Sequence, residues 1–243
     1  MTPIYRVKNL IKIIPGADYS VAIRSLTVHR GDKVAITGPS GCGKSTALDM
    51  LGLSLKPDEA EVFDFAAKER EYDIRELWRA GDLDKLADLR RQCLGYVLQS
   101  GELLPFLSVG ENMRLTARLA GISAAEAEAR ARDLALRLGL SEKLGAQPST
   151  LSVGQRQRAA IIRALCADPP VILADEPTAA LDPESAAAVM GALLDSVDRV
   201  GASLILVTHN EAWAATGGLR RLPFNIVSSD GKTAAQLSDG SAP

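Results

Sequence analysis

The chain has 243 residues, enough for one large α/β domain or for a domain with an inserted subdomain. Hydrophobic residues make up 47% and aromatic residues 4%, a balance typical of an interior rich in Val, Ile, Leu and Ala. The net charge of −2 excludes the global basic field of a nucleic-acid-binding protein. No apolar run approaches a membrane span, and three scattered cysteines suit a reducing cytosol.

Apolar runs alternate with helical patterns along the chain, which predicts a largely parallel sheet. The first run, 34–37, leads into a complete G-x-x-x-x-G-K-[ST] motif at 38–45. Glycines let the loop backbone curl so that N–H groups converge on an anion, and the helix predicted to begin near Lys44 points its positive end there. Lys44 then places a charge on the β- and γ-phosphates of a nucleotide, and the Ser45 hydroxyl ligates Mg²⁺.

We therefore expect a nucleotide-binding loop rather than a glycine-rich turn with a capping serine, because the motif match is complete and a predicted strand and a predicted helix flank it. The residues expected to contact the nucleotide are Gly38, Pro39, Ser40, Gly41, Cys42, Gly43, Lys44, Ser45 and Thr46.

Between this loop and the next apolar run, residues 66–88 carry charges at helical spacings. This pattern predicts a solvated helical insertion, although an exposed Trp78 would indicate a binding surface. Residues 109–120 and 123–139 have apolar positions at i, i+3, i+4 and i+7, which predicts two helices that stop at Gly121 and Gly139.

Three later apolar runs also end in polar residues. Run 94–98 ends at Gln99, run 171–174 at Asp175 and Glu176, and run 204–208 at His209. Because ligands of open α/β sheets bind beyond the carboxyl ends of the strands, we expect these side chains and the phosphate loop to converge on one crevice.

Each of these residues has an expected role and a structural alternative. Asp175 fits a residue that holds Mg²⁺ through its water shell, and Glu176 fits a general base beside the γ-phosphate. Alternatively, the two carboxylates cap the element that follows them, helped by Pro177. Gln99 alone reads as an ordinary strand-end residue, and His209 could instead cap a helix that starts near Glu211.

Residues 151–155 read Leu-Ser-Val-Gly-Gln, and here the chain resembles the ATP-binding-cassette (ABC) ATPases, whose signature is LSGGQ. The phosphate loop, Gln99, the signature, LADEPT at 173–178, Leu181-Asp182 and His209 occur in the family's order. Residues 89–112 and 173–182 look like the lipoprotein-releasing and macrolide-efflux branch (LolD/MacB-like). A nucleotide kinase would share the phosphate loop but would have no reason to contain LSVGQRQR or LADEPT.

The resemblance implies a fold and a mechanism. The fold is an α/β phosphate-loop NTPase core with a mainly parallel sheet, an N-terminal antiparallel β portion and a helical signature subdomain at about 100–165, all within a single domain over 1–237. Two cassettes are expected to sandwich two ATP molecules head to tail. Ser152, Gly154 and Gln155 would contact the γ-phosphate held by the partner copy, and Asp182 would lie across the dimer interface.

The resemblance further implies that His209 and Lys44 assist Glu176 in hydrolysis, that Gln99 also contacts the nucleotide, and that Ser45, Gln99 and Asp175 hold Mg²⁺. The implied function is that of the ATP-hydrolysing subunit of a transporter. It would power a separate membrane permease from the cytoplasmic face of the inner membrane, in lipoprotein or lipid release or in efflux. An extracytoplasmic adaptor is a further candidate partner, nucleic acid is not, and the alternative is a soluble ABC ATPase with non-membrane partners.

Four features depart from the family pattern or stay open. Val153 replaces the first signature glycine, so the backbone there must be ordinary or strained, and we expect Gly154 to retain the needed freedom. An aromatic usually stacks on adenine upstream of the loop; here Ile13 and Ile14 offer only apolar contact, or Tyr19 substitutes. Residues 103–107 either line the groove for the permease or pack internally. Residues 238–243 are expected to form a disordered tail.

Overall fold

The computed structural model describes residues 3–67, 70–214, 218–229 and 232–240. The chain divides into two compact units, one of residues 1–90 and 205–243, the other of residues 91–204. The strands are β1 (Tyr5–Ile13), β2 (Tyr19–Val28), β3 (Lys33–Thr37), β4 (Val62–Ala67), β5 (Arg70–Asp73), β6 (Leu94–Val97), β7 (Val171–Asp175), β8 (Ser203–Thr208), β9 (Arg220–Pro223), β10 (Asn225–Ser229) and β11 (Lys232–Ser238). The helices are α1 (Lys44–Leu51), α2 (Ile74–Ala80), α3 (Leu83–Cys93), α4 (Val109–Leu119), α5 (Ala124–Arg137), α6 (Val153–Leu165), α7 (Pro183–Val200) and α8 (Glu211–Ala214).

The first unit contains a six-stranded sheet in the order β10-β11-β2-β1-β4-β5. Strands β1 and β2 pair antiparallel over most of their lengths, from Tyr5 opposite Val28 to Ile13 opposite Ser20. This confirms the predicted antiparallel β portion near the N-terminus. The pairing of β11 with β2 is parallel instead, and β11 comes from a much later part of the chain than β2.

Parallel pairing occurs in both units, as the apolar runs predict. In the first unit β3 pairs with β9, and in the second β6 pairs with β7. All residues of β8, and all but the last of β7, are buried, which is the pattern of strands covered on both faces. The predicted runs agree with the observed strands to within one residue at each end.

The two helices predicted from their periodicity are present in the second unit. Helix α4 begins with a capping box in which Ser108 and Glu111 accept each other's backbone N–H, and α5 begins at Ser123. Both predicted stops are confirmed, since Gly121 and Gly139 adopt φ values of 86° and 68° that favour glycine.

The predicted insertion at 66–88 is only partly helical. Its first residues end β4 and form β5, and α2 and most of α3 follow. Burial in β4 alternates with a period of two because the strand pairs with β1, and strand pairing outweighs the helical charge spacing in 66–67 and 70–73. Trp78 is half-buried rather than exposed, so it does not indicate a binding surface.

The prediction of a disordered tail from residue 238 is wrong for its first three residues. Ser238 ends β11, and the Asp239 carboxylate, 1% exposed, accepts hydrogen bonds from the Ser25 hydroxyl at 2.9 Å and the Thr27 amide at 2.6 Å. Arg220 forms an ion pair with the same carboxylate at 3.3 Å. Residues 241–243 lie outside the described residues.

Candidate nucleotide-binding site

The glycine-rich loop between β3 and α1 has a backbone that requires glycine at Gly43. This residue caps α1 with a φ of 95°, and a Cβ added to it would lie 2.3 Å from Cγ2 of Val21 on β2. Gly41 also has a positive φ of 77°, but a Cβ there would meet nothing within 4 Å. The loop therefore packs tightly against β2 at one glycine and stays open at the other, which leaves backbone N–H groups at the start of α1 able to bind an anion.

Lys44 is 4% exposed, and its ammonium donates to the carbonyl oxygens of Gly38 at 3.0 Å and Pro39 at 2.9 Å. The charge is thus held over the loop by the loop's own backbone. Ser45 is exposed in the first turn of α1, and Thr46 is half-buried beside it. Of the remaining loop residues, the exposed ones are Pro39, Ser40 and Gly41, the half-buried ones are Gly38 and Gly43, and Cys42 is buried.

Tyr19, at the start of β2, is attached to this loop. Its half-buried hydroxyl donates to the Cys42 carbonyl at 2.9 Å, and burial raises the pKa of Tyr19 above its ordinary value. Ile13 is 51% exposed and Ile14 is half-buried. The choice between Tyr19 and the two isoleucines as the adenine contact remains a prediction.

His209 is exposed directly after the buried end of β8. The alternative that it caps the next helix is wrong, because Asn210 does so. The Asn210 side chain accepts from the Ala212 amide at 3.0 Å, and the Asn210 amide donates to the Thr208 hydroxyl at 3.1 Å. His209 is therefore not required by the local fold as a cap.

In the second unit, Asp175 and Glu176 are both half-buried where β7 ends. Glu176 has a φ of 45°, a left-handed conformation that is uncommon for a residue with a side chain and that occurs disproportionately at functional sites. The element that directly follows these carboxylates is a turn, which the Ala179 amide closes by donating to the Glu176 carbonyl at 3.1 Å. Helix α7 is capped by Asp182, which accepts from the Ser185 amide at 3.0 Å, and that bond lowers the pKa of Asp182.

The LSVGQ segment begins α6 through a second capping box. The Ser152 side chain accepts from the Gln155 amide at 3.2 Å, and the Gln155 side chain accepts from the Ser152 amide at 3.0 Å. Val153 is the first helical residue and is 41% exposed, with no positive φ, so valine is accommodated without strain. The two side chains expected to reach a phosphate are thereby fixed in place at the helix start.

Gly154 does not use a glycine-only backbone in this structure, and the expectation that it retains conformational freedom stays a prediction. Its φ is not in the left-handed region, and a Cβ there would lie 3.9 Å from Leu181 and from Ser185, an ordinary contact. These neighbours flank Asp182, so the structure brings the start of the signature helix and the Asp182 cap together.

Gln99 is exposed in a turn closed by a hydrogen bond of 3.1 Å from the Gly101 amide to the Leu98 carbonyl. Sequence reasoning missed Gln157, which is 2% exposed and donates from Nε2 to the same Leu98 carbonyl at 3.1 Å. The available signal was a polar side chain two residues beyond the signature, on the face of α6 that is otherwise apolar.

The stretch 103–107 is attached to α4 through its backbone, and its predicted lining of a permease groove stays a prediction. Asn112 of α4, fully buried, accepts from the Leu104 amide at 2.7 Å and donates to the carbonyls of Leu104, Leu107 and Ser108 at 3.0–3.2 Å. The leucines are half-buried, whereas Phe106 is 76% exposed. The backbone is thus attached internally, and one aromatic ring faces outward.

Within the ranges that the structure describes, no helix is both long and apolar enough to cross a membrane. The expected site residues fall in both units: the phosphate loop, Tyr19 and His209 in the first, and Gln99, the signature, Asp175, Glu176 and Asp182 in the second.

Comparison with protein families gives a match to the ABC transporter family over residues 22–179. The macrolide export ATP-binding/permease protein MacB of Salmonella paratyphi A is 42% identical over 218 residues, 88% of this chain and 32% of that protein. The pyoverdine export ATP-binding/permease protein PvdT of Pseudomonas aeruginosa is 46% identical over 191 residues, 79% of this chain and 27% of that protein. The chain thus spans about a third of the length of these relatives.

Among solved structures, the chain is similar to the ATP-binding cassette MJ0796, determined as a dimer in a post-hydrolysis state with ADP and Pi. The TM-score is 0.74 and the sequence identity is 31%, with 94% of this chain and 95% of that chain covered. A second dimeric structure of the same cassette gives a TM-score of 0.72 at 30% identity.

Proposed function

Since this chain belongs to the ABC transporter family and is an ATP-binding cassette ATPase of the MacB/LolD type, we propose that it powers a membrane permease through ATP-driven dimerisation. One observation carries the proposal: the chain presents two anion-binding helix starts, both formed in advance. One is the phosphate loop at Gly43, and the other is the start of α6 at Ser152. A single bound nucleotide needs only the first, so the second has a role when another copy's nucleotide meets it.

The phosphate loop binds the triphosphate through backbone N–H groups and Lys44. On this proposal the ammonium leaves its two carbonyl partners for the β- and γ-phosphates. The side chains proposed for Mg²⁺, those of Ser45, Gln99 and Asp175, all offer oxygen, the donor that this ion prefers. When bound, Mg²⁺ neutralises charge on the phosphate oxygens.

Glu176 is proposed to accept the proton of the attacking water, and His209 to hold the γ-phosphate and that water. The left-handed backbone at Glu176 supports this role, because such strain is retained where the surrounding fold fixes a functional side chain. The side-chain acceptor at the start of α8 is Asn210, and His209 lies exposed just before it, at the end of β8.

The second copy is proposed to contribute Ser152, Gly154 and Gln155 to the γ-phosphate, with Asp182 at the interface. The hydrogen bond from the Ser185 amide lowers the pKa of Asp182, so this contact favours its ionised form. Hydrolysis then removes the anion that joins the two copies, so the dimer loosens. The MJ0796 cassette is still dimeric with ADP and Pi bound, so we place the loosening at the release of phosphate rather than at bond cleavage.

The membrane partner is proposed from the relatives, whose names join an ATP-binding part to a permease and describe export. We place the chain at the cytoplasmic face of the cell membrane, in contact with a permease through the stretch that exposes Phe106. The transport process that we propose for it is export, or the release of lipids or lipoproteins. An extracytoplasmic adaptor is proposed as a further partner. No observation favours the alternative of a cassette with only non-membrane partners.

The first test is Glu176→Gln. ATP binding should persist and an ATP-bound dimer should accumulate, while hydrolysis falls by about two or more powers of ten because the proton acceptor is lost. Phosphate release and light scattering with Mg-ATP measure the two effects. Glu142→Gln, which neutralises an exposed carboxylate on a short turn, is the control and should hydrolyse normally.

Lys44→Ala should weaken ATP binding itself and form no dimer. An unaltered ATP dissociation constant in that variant would contradict the phosphate-loop assignment, and normal turnover in Glu176→Gln would remove Glu176 from catalysis. Purification of the tagged chain from detergent-solubilised membranes distinguishes the partners: a multi-spanning membrane protein supports the proposal, and exclusively soluble partners support the alternative.

A further inference from the structure

The Gln99 turn rests directly on the signature helix. The Leu98 carbonyl accepts two hydrogen bonds, one from the Gly101 amide that closes the turn and one from the Gln157 side chain of α6, each at 3.1 Å. Gln157 is 2% exposed, so this amide has no water to replace its partner. The turn that presents Gln99 is therefore held by the same helix that begins with the signature.

The contact is also tight at Gly101. This glycine has a φ of 58°, and a Cβ added to it would lie 2.5 Å from Oε1 of Gln157 and 3.2 Å from the backbone N and Cα of Gln157. The backbone of the turn thus lies against the helix with no room for a side chain between them. Further along α6, Arg163 donates to the Glu102 carbonyl at 2.6 Å and extends the attachment.

According to the proposed function, the Gln99 turn and the start of α6 contact two different nucleotides. Gln99 contacts the nucleotide of its own copy, and the start of α6 contacts that of the other copy. Gln157 lies four residues after the first residue of α6, about 6 Å along the helix axis. A movement of the turn is thus transmitted over less than two helical turns of rigid backbone.

We propose that Gln157 is a positioning residue that couples the Gln99 turn to the signature helix, so that nucleotide bound in one copy sets how well that copy's signature engages the nucleotide of its partner. This inference rests on the proposed function and adds to it the path by which the two sites are linked. Gln157 touches no nucleotide in this scheme and acts only through the turn and the helix.

The test uses the Glu176→Gln background, in which ATP-driven dimerisation is measured without turnover. Gln157→Met keeps the length of the side chain and removes its donor. It should weaken the ATP-bound dimer by roughly two- to thirty-fold, the range that a residue in a coupling path contributes. ATP affinity of the dilute monomer should change far less, and the Hill coefficient of hydrolysis, with Glu176 restored, should fall toward one.

Thr116→Val is the matched control. Thr116 donates to the Arg163 carbonyl and so also attaches a side chain of the second unit to α6, but away from the Gln99 turn. It should lower thermal stability to a similar extent and leave the dimer constant and the Hill coefficient unchanged. If Gln157→Met behaves like Thr116→Val, Gln157 is only a structural contact and the inference is overturned.

Gly101→Ala approaches the same contact from the turn. Its Cβ would press on Gln157, so Gly101→Ala and Gln157→Ala should weaken dimerisation by less together than the sum of their separate effects. Additive effects would overturn the inference. Failure of Glu176→Gln alone to dimerise with ATP would instead refute the proposed function, so the two failures are distinguishable.

Discussion

Gly43 offers a quantitative test of how the phosphate loop is built. Replacement by alanine introduces two separate costs at one position. The left-handed backbone at φ 95° costs about 1–2 kcal/mol for a residue with a Cβ. The Cβ would also lie 2.3 Å from Cγ2 of Val21, far inside an ordinary contact, and such overpacking costs about 1–3 kcal/mol. Gly43→Ala should therefore lower the free energy of unfolding by about 2–5 kcal/mol.

Gly41→Ala isolates the backbone cost. Its φ of 77° is equally unfavourable, but a Cβ there meets nothing within 4 Å, so only about 1–2 kcal/mol should be lost. Val21→Ala tests the same contact from the side of Val21. Val21 is fully buried, and its truncation alone should cost about 2 kcal/mol, yet it removes the methyl group with which the Cβ of the Gly43→Ala variant would collide.

Urea unfolding of the four chains of the Gly43 and Val21 cycle, with Gly41→Ala beside them, measures these terms. The double variant should be more stable than the sum of the single effects by about 1–3 kcal/mol, the overpacking cost. ATP affinity should fall most in Gly43→Ala, because the loop must shift to relieve the contact. Equal losses in Gly41→Ala and Gly43→Ala, or strict additivity with Val21→Ala, would refute the packing argument.

Three further outcomes follow from other contacts. Asp239→Ala should destabilise the chain by about 1–3 kcal/mol in urea unfolding, since the Thr27 amide loses its acceptor, whereas a disordered tail would leave stability unchanged. Burial raises the pKa of Cys166 to about 11, so only about one thiol in a thousand is ionised at pH 8. A variant with alanine at the other two cysteines should therefore react with a thiol reagent only after unfolding. Rapid labelling of the folded variant would contradict this. The hydrogen bond from Arg75 lowers the pKa of Asp73, the cap of α2, in the folded chain. The ionised Asp73 carboxylate therefore stabilises the fold fully above the pKa of about 3.9 that it has in the unfolded chain. This stabilisation is lost as the pH falls through the lower pKa of the folded chain. Asp73→Asn should keep the cap but make the urea midpoint less dependent on pH in the acid range. If the midpoint of this variant falls with acid as steeply as that of the unchanged chain, ionisation of Asp73 does not contribute to acid stability.

The phosphate loop, the buried strands and the two periodic helices could be predicted because each is encoded locally. Runs 171–174 and 204–207 are apolar without interruption, a pattern typical of strands buried on both faces or of buried helices. The capping serines at 108 and 123 each precede a glutamate by three residues, which marks a helix start in the sequence itself.

The features that could not be predicted depend on distant partners. Residues 66–67 and 70–73 lie in strands because β1 pairs with β4 and β4 pairs with β5, and nothing in the local charge spacing reveals β1. Asp239 is ordered by groups more than 200 positions earlier, so a small polar segment at the end of the chain gave no signal. The backbone of Gly154 could not be predicted either, since a motif glycine permits both ordinary and left-handed conformations and the structure has the ordinary one.

The mutual cap of Ser152 and Gln155 bears on how quickly two cassettes can join. Loops that become ordered only on contact lose conformational entropy at the moment of encounter, which weakens and slows association. Here the proposed recognition element is already formed in the single chain, so docking would require little rearrangement of that element. The rate at which copies meet over nucleotide should then be governed by diffusion and nucleotide occupancy, and a permease that holds two copies near each other would accelerate the whole cycle.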